Sequence, residues 1–179
     1  LPLAPDTVFG RKAQAPDNEA SLLAVDGNFL LPWWDGVVGY RLATGQMKQD
    51  AAFLPISTSA ALTGGATLPR SDLDGEVDTN HYRVSASLKP HSRVRLRGNF
   101  RYDERDDKTD PFTVTYVETD SIAGPTATAG RYGYERTRFD GSAEGRVFDW
   151  LHVAVGGEED EVERTNQETS QTKETSTWG

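Results

Sequence analysis

Between Tyr82 and Tyr102 apolar and polar side chains alternate, the chain reverses within a few residues, and the alternation resumes. Tyr82, Val84, Ala86 and Leu88 share one strand face. After Lys89-Pro90-His91-Ser92, one face of the return strand carries Val94, Leu96, Gly98, Phe100 and Tyr102, because strand side chains point to opposite sides in turn. The opposite faces carry Arg, Ser and Asn almost exclusively. A period of two sustained on both arms of a hairpin is a β signature that a helix cannot satisfy.

The plan recurs twice. Phe139, Gly141, Ala143, Gly145 and Val147 alternate with Arg138, Asp140, Ser142, Glu144 and Arg146, reverse at Phe148-Asp149-Trp150, and continue through Leu151, Val153 and Val155. A looser copy runs from Leu23 to Leu31, turns at Pro32-Trp33-Trp34-Asp35-Gly36 and returns through Val38, Tyr40 and Leu42. The three copies predict hairpins at 18–54, 77–106 and 131–165 and long loops at 55–76 and 107–130. All of residues 1–179 then form one sector of a single domain, with about six strands.

Short turns at one end and long Gly-, Thr-, Ser- and Asp-rich connections at the other are the asymmetry of outer-membrane barrels, whose periplasmic turns are short and extracellular loops long. Trp33, Trp34, Phe148 and Trp150 fall at the short-turn end, where an interfacial aromatic girdle belongs. The expected fold is therefore all-β, an antiparallel up-and-down transmembrane β-barrel in the bacterial outer membrane. About six strands leave lipid-exposed edges with unpaired backbone groups, so this chain is expected to be part of a larger barrel.

Composition narrows the function. No apolar run of about 18 residues predicts a transmembrane helix. With no cysteine, the stretch has no disulfide, thiolate metal site or covalent haem attachment, so any haem belongs to a partner. A net charge of -9 argues against nucleic acid. Leu1 to Asp6 lacks a basic region followed by an apolar one, so an export signal is expected outside this stretch or already removed.

The run Leu68-Pro69-Arg70-Ser71-Asp72-Leu73-Asp74-Gly75-Glu76-Val77-Asp78-Thr79, followed by a hairpin and Arg101-Tyr102-Asp103-Glu104-Arg105-Asp106-Asp107-Lys108-Thr109, resembles the MtrB/PioB family of decahaem-associated outer-membrane proteins. Tyr132-Gly133-Tyr134-Glu135-Arg136-Thr137-Arg138-Phe139, Glu161 to Glu168 and Glu174 to Trp178 are similar to that family's next hairpin. The resemblance implies a barrel that sheathes a multihaem c-type cytochrome and lets electrons cross the outer membrane. It further implies haem c in the partner and none in this chain, a periplasmic-side cytochrome inside the barrel, and an extracellular multihaem cytochrome as a further partner. Family members are much longer than this chain.

On the residues alone, the expected lumen-facing groups are Arg83, Arg93, Arg95, Arg97, Arg101, Arg138, Arg146 and His152, with Arg136 beside them and Asp140 and Glu144 as counter-charges. Guanidinium forks bind carboxylates in pairs, so these groups suit an acidic cytochrome surface or haem propionates; a salt-bridged porin interior uses the same residues. Two alternatives stand beside the sheath: a general diffusion porin and a soluble antiparallel β-sheet binding protein. Asp72 to Asp78 lacks the ligand spacing of an EF-hand, and Glu158 to Glu163 reads as a solvated strand end unless it holds divalent cations among lipid phosphates. His81, His91 and His152 have no metal-ligand spacing, and Ser142 stands in a strand rather than a nucleophile elbow. No catalytic constellation is present, and no enzyme activity is expected.

Overall fold

A computed structural model describes residues 17–54, 67–119, 122–165 and 171–179. The strands are β1 (Asn18–Leu31), β2 (Gly36–Gln49), β3 (Gly75–His91), β4 (Val94–Asp107), β5 (Phe112–Thr119), β6 (Ile122–Ala129), β7 (Tyr134–Phe148), β8 (Leu151–Arg164) and β9 (Gln171–Trp178). One 3-10 turn, Pro32–Trp34, joins β1 to β2. Seven strands form one sheet in the order β1-β2-β3-β4-β7-β8-β9, an up-and-down meander from which β5 and β6 leave as a separate two-stranded ribbon. The ladders from β3 to β9 are antiparallel. The sheet is all-β and open at β1 and β9, a partial barrel.

Cross-strand register repeats the alternation read from the sequence. Tyr82 stands opposite Tyr102, Val84 opposite Phe100, Ala86 opposite Gly98 and Leu88 opposite Leu96. The same face continues through Phe100 with Phe139, Gly98 with Gly141 and Leu96 with Ala143. It reaches β8 through Ala143 with Val155 and Gly145 with Val153. A slip of one residue would turn this whole surface over, so the hydrophobic pattern fixes the register.

Within the sheet that surface is exposed. Among the described residues only Ala43 and Asp103 are buried, while Phe139 and Val155 are each 56% exposed and Trp150 80%. A soluble sandwich needs its apolar faces packed together, whereas the apolar residues of this sheet are exposed among the described residues. From Phe139 to Phe148 the strand rises about 30 Å, which a tilt of about 40° converts to about 23 Å, close to the ~25 Å apolar band of outer-membrane barrels. Tyr82 and Tyr102 stack with ring centroids 5.6 Å apart where that band ends. Beyond them the same face carries Asn80, Glu104, Asp78 and Asp106.

The short turns are tighter than the sequence suggested. Reversal between β3 and β4 takes Ser92 and Arg93 rather than 89–92, and Lys89 and Pro90 belong to β3. The register shifts between Leu88 and His91, an irregularity that accommodates a proline with no N–H to donate. Asp35 closes the β1–β2 turn at φ 37°, in the left-handed region that Asp tolerates better than most residues.

Two differences in strand count have distinct causes. The segment 107–130, read as a long loop, contains the β5–β6 ribbon, in which Phe112 pairs with Ala129 and Val114 with Ala127. Strand β9, Gln-Thr-Lys-Glu-Thr-Ser-Thr-Trp, has no apolar alternation because both its faces are polar, so hydrophobic periodicity could not reveal it. The sheet thus has seven strands where six were expected. Residues 55–66 of the expected loop 55–76 lie outside the described residues.

The chain divides into two compact units, one of 20–47, 76–108 and 131–179 that holds nearly all of the sheet, the other of 1–19, 48–75 and 109–130 that holds the ribbon. In the ribbon unit Ala52 bridges Asp72, the Phe53 and Phe112 rings lie 5.6 Å apart, and the Arg70 guanidinium sits 4.4 Å above the Phe112 ring.

Candidate functional site: the polar wall of the sheet

The opposite face of the sheet is a wall of charged rows. Ser87, Arg97, Ser142, Gly156 and Trp178 form one row across β3, β4, β7, β8 and β9. The next holds Ser85, Asn99, Asp140, Glu158 and Ser176, the next Arg83, Arg101, Arg138, Asp160 and Glu174, and the next His81, Asp103, Arg136, Val162 and Thr172.

Within these rows most charges have partners. Arg97 donates from Nη1 to Glu144 Oε1 at 2.8 Å, and Asn99 Nδ2 donates to Asp140 Oδ2 at 2.8 Å. Arg138 Nη2 pairs with Glu158 Oε1 at 2.8 Å, and Arg136 grips Asp160 with both arms of its fork. Arg101 Nε lies 2.6 Å from Asp103 Oδ2, while Asp103 Oδ1 meets His81 Nδ1 at 2.8 Å. This is the cross-linked wall of a charged lumen, with paired acids and bases holding neighbouring strands in register.

The arginines expected to face a partner therefore separate into two kinds. Arg97, Arg101 and Arg138 are tied into the wall. Arg93, Arg95 and Arg146 make no ion pair among the described residues; together with His152, Lys89 and Glu144 they line a cleft of about 400 Å³ at the short-turn end. Arg83 also lacks an ion pair, in mid-wall opposite Arg101. Sequence reasoning passed over Arg41, which by strand parity shares this face with Gly39 and Gly45, where an added Cβ would meet the Ser85 and Thr79 side chains. It also left Trp178 unassigned: the ring lies over Gly156 on the polar wall, away from the girdle, as the parity of β9 requires.

The aromatic residues of the short turns stand clear of the sheet. Phe148 and Trp150 stack at 5.6 Å with an interplanar angle of 9°, and Trp33, Trp34, Phe148 and Trp150 are all exposed. Lys89 Nζ reaches Asp35 at 2.8 Å between adjacent turns, and that hydrogen-bonded ammonium holds the Asp35 carboxyl below the usual carboxylate range. At the other end of the sheet, just past β4, the Asp78 carboxylate raises the Lys108 ammonium above its ordinary value.

The acidic run at the end of β8 divides between faces. Glu158 and Asp160 point to the wall and pair with Arg138 and Arg136, whereas Glu159 and Glu161 share the opposite face, where Lys173 lies 2.7 Å from Glu159. Among the described residues no group of three or more His, Asp or Glu is gathered to hold a metal ion.

A sheet with an uncovered apolar band on one side and a salt-bridged wall on the other is the section of a membrane barrel. The chain matches the MtrB/PioB outer-membrane β-barrel porins over residues 4–179. It belongs to the MtrB/PioB family. It is also similar to the outer membrane protein MtrB of Shewanella baltica (strain OS185), at 28% identity over 169 residues, or 94% of this chain. The chain spans 23% of that relative's length. Like other MtrB/PioB members it is a bacterial outer-membrane protein, and the missing closure of its sheet agrees with so partial a span.

Proposed function

We propose that this chain is a sector of a barrel that sheathes a multihaem c-type cytochrome, holding its haems in line and keeping lipid away so that electrons cross the outer membrane. The barrel carries no cofactor and catalyses nothing; haem c resides in the cytochrome, with a second multihaem cytochrome docking outside. The observation that most supports this reading is the wall itself. Its rows extend across five strands, with arginines on β3, β4 and β7 interleaved with carboxylates, a large polar surface of the kind that a folded protein with a complementary charge pattern can fill.

The test is to extract the full barrel from outer membranes in mild detergent, isolate it through this chain and record its reduced-minus-oxidised spectrum. A stoichiometric c-type haem signal that survives washing is expected. A haem-free barrel that passes small solutes in liposomes would instead establish the diffusion porin, a reading that the salt-bridged lumen also fits.

A further inference from the structure

The cleft at the short-turn end has a charge imbalance that the rest of the wall lacks. Arg93 stands in the β3–β4 turn, Arg95 two residues further along in β4, and Arg146 near the end of β7, where its backbone N–H donates to the Arg93 carbonyl at 2.9 Å. The cleft's own carboxylate, Glu144, is already taken by Arg97 at 2.8 Å, and the Asp35 carboxylate of the neighbouring turn is taken by Lys89. Three guanidiniums therefore share about 400 Å³ with Lys89, and the two carboxylates nearby, Glu144 and Asp35, each hydrogen-bonded to another cation with Asp35 also within the field of Arg95, are too few to neutralise them. Further along, Arg97, Arg101, Arg136 and Arg138 each have an acid of their own.

Resting on the sheath reading, we infer that Arg93, Arg95 and Arg146 form a cationic collar at the short-turn mouth of the lumen that docks aspartate and glutamate side chains of the protein inside the barrel. Three guanidiniums held within one cleft repel one another, and incoming carboxylates relieve that repulsion while forming fork-to-fork bonds. The wall beyond offers less, since its arginines other than the single Arg83 would first have to leave their own acids. The collar thus fixes which end of the occupant sits at the short-turn mouth, and the wall beyond it supplies fit.

The test uses the full barrel in outer membranes, with Arg93, Arg95 and Arg146 changed together to Lys, Gln or Glu. Heat-modifiable migration on gels reports barrel folding, and the haem protein retained after washes of rising salt reports docking. Folded Gln variants are expected to hold their occupant about tenfold more weakly, the sum of three partly exposed ion pairs. Glu variants should fall further, and Lys variants, which keep the charge but lose the fork, should lie between the Gln variants and the unsubstituted barrel. Should a triple variant fail to insert, the single Gln variants carry the same test at about twofold each. Retention that does not follow charge in this order overturns the collar. An unsubstituted barrel with no haem protein overturns the sheath reading itself, so the two failures are distinguishable.

Discussion

Asp103 accepts from Nδ1 of His81 at 2.8 Å across the β3–β4 ladder, and it is the one buried charged side chain among the described residues. Its other oxygen binds Arg101 two positions along its own strand, so one carboxylate orients a histidine and an arginine at the edge of a cavity of about 310 Å³ that Arg136 also lines. Because Arg101 and His81 can reach water while Asp103 cannot, the carboxylate depends on them more than they on it.

Asp103→Ala is expected to destabilise the folded barrel by about 1–3 kcal/mol, the cost of removing the acceptor of two charge-assisted hydrogen bonds at a buried position. Unfolding of the barrel in lipid vesicles measures it. His81→Ala, which removes only the more exposed partner, is expected to cost less.

Ala86 and Ser87 are neighbours in sequence on opposite faces of β3, Ala86 beside Gly98 in the apolar band and Ser87 beside Arg97 on the wall. Ala86→Lys is expected to cost about 2–4 kcal/mol through exposure of charge to hydrocarbon, while Ser87→Lys costs less than 1 kcal/mol or so. A larger cost at Ser87 than at Ala86 would mean that the faces are reversed.

Trp33, Trp34 and Trp150 stand at the short turns, whereas Trp178 covers Gly156 on the wall. In vesicles of lipids brominated near the headgroup, variants that retain Trp33 or Trp150 as the sole tryptophan are expected to be strongly quenched, and one that retains Trp178 weakly. Comparable quenching of Trp178 would place it in lipid.

The Asp35–Lys89 bridge is sensitive to acid. Since the folded carboxyl titrates below its unfolded value of about 4, the bridge contributes fully above that value and is lost as pH falls through the lower folded pKa. Lys89→Met should return the Asp35 titration, followed by NMR of the carboxyl carbon, toward the ordinary value. An unmoved titration would mean that Lys89 is not the cause.

The sequence determined the strand faces and the membrane. Alternation in 82–102 and 138–155 needs no partner to be read, because the pleat has a strict period of two and lipid rewards apolar side chains wherever they stand on that face. The tertiary structure decided the rest. Whether an arginine is free or tied depends on which acid another strand brings within 4 Å: Arg97 meets Glu144 47 residues away, yet Arg95, directly opposite Glu144 in register, does not. No local pattern in the sequence encodes that choice, since it follows from strand order, stagger and the diagonal reach of long side chains. For the same reason β9 and the wall-facing Trp178 became visible only once β8 supplied a ladder to pair with.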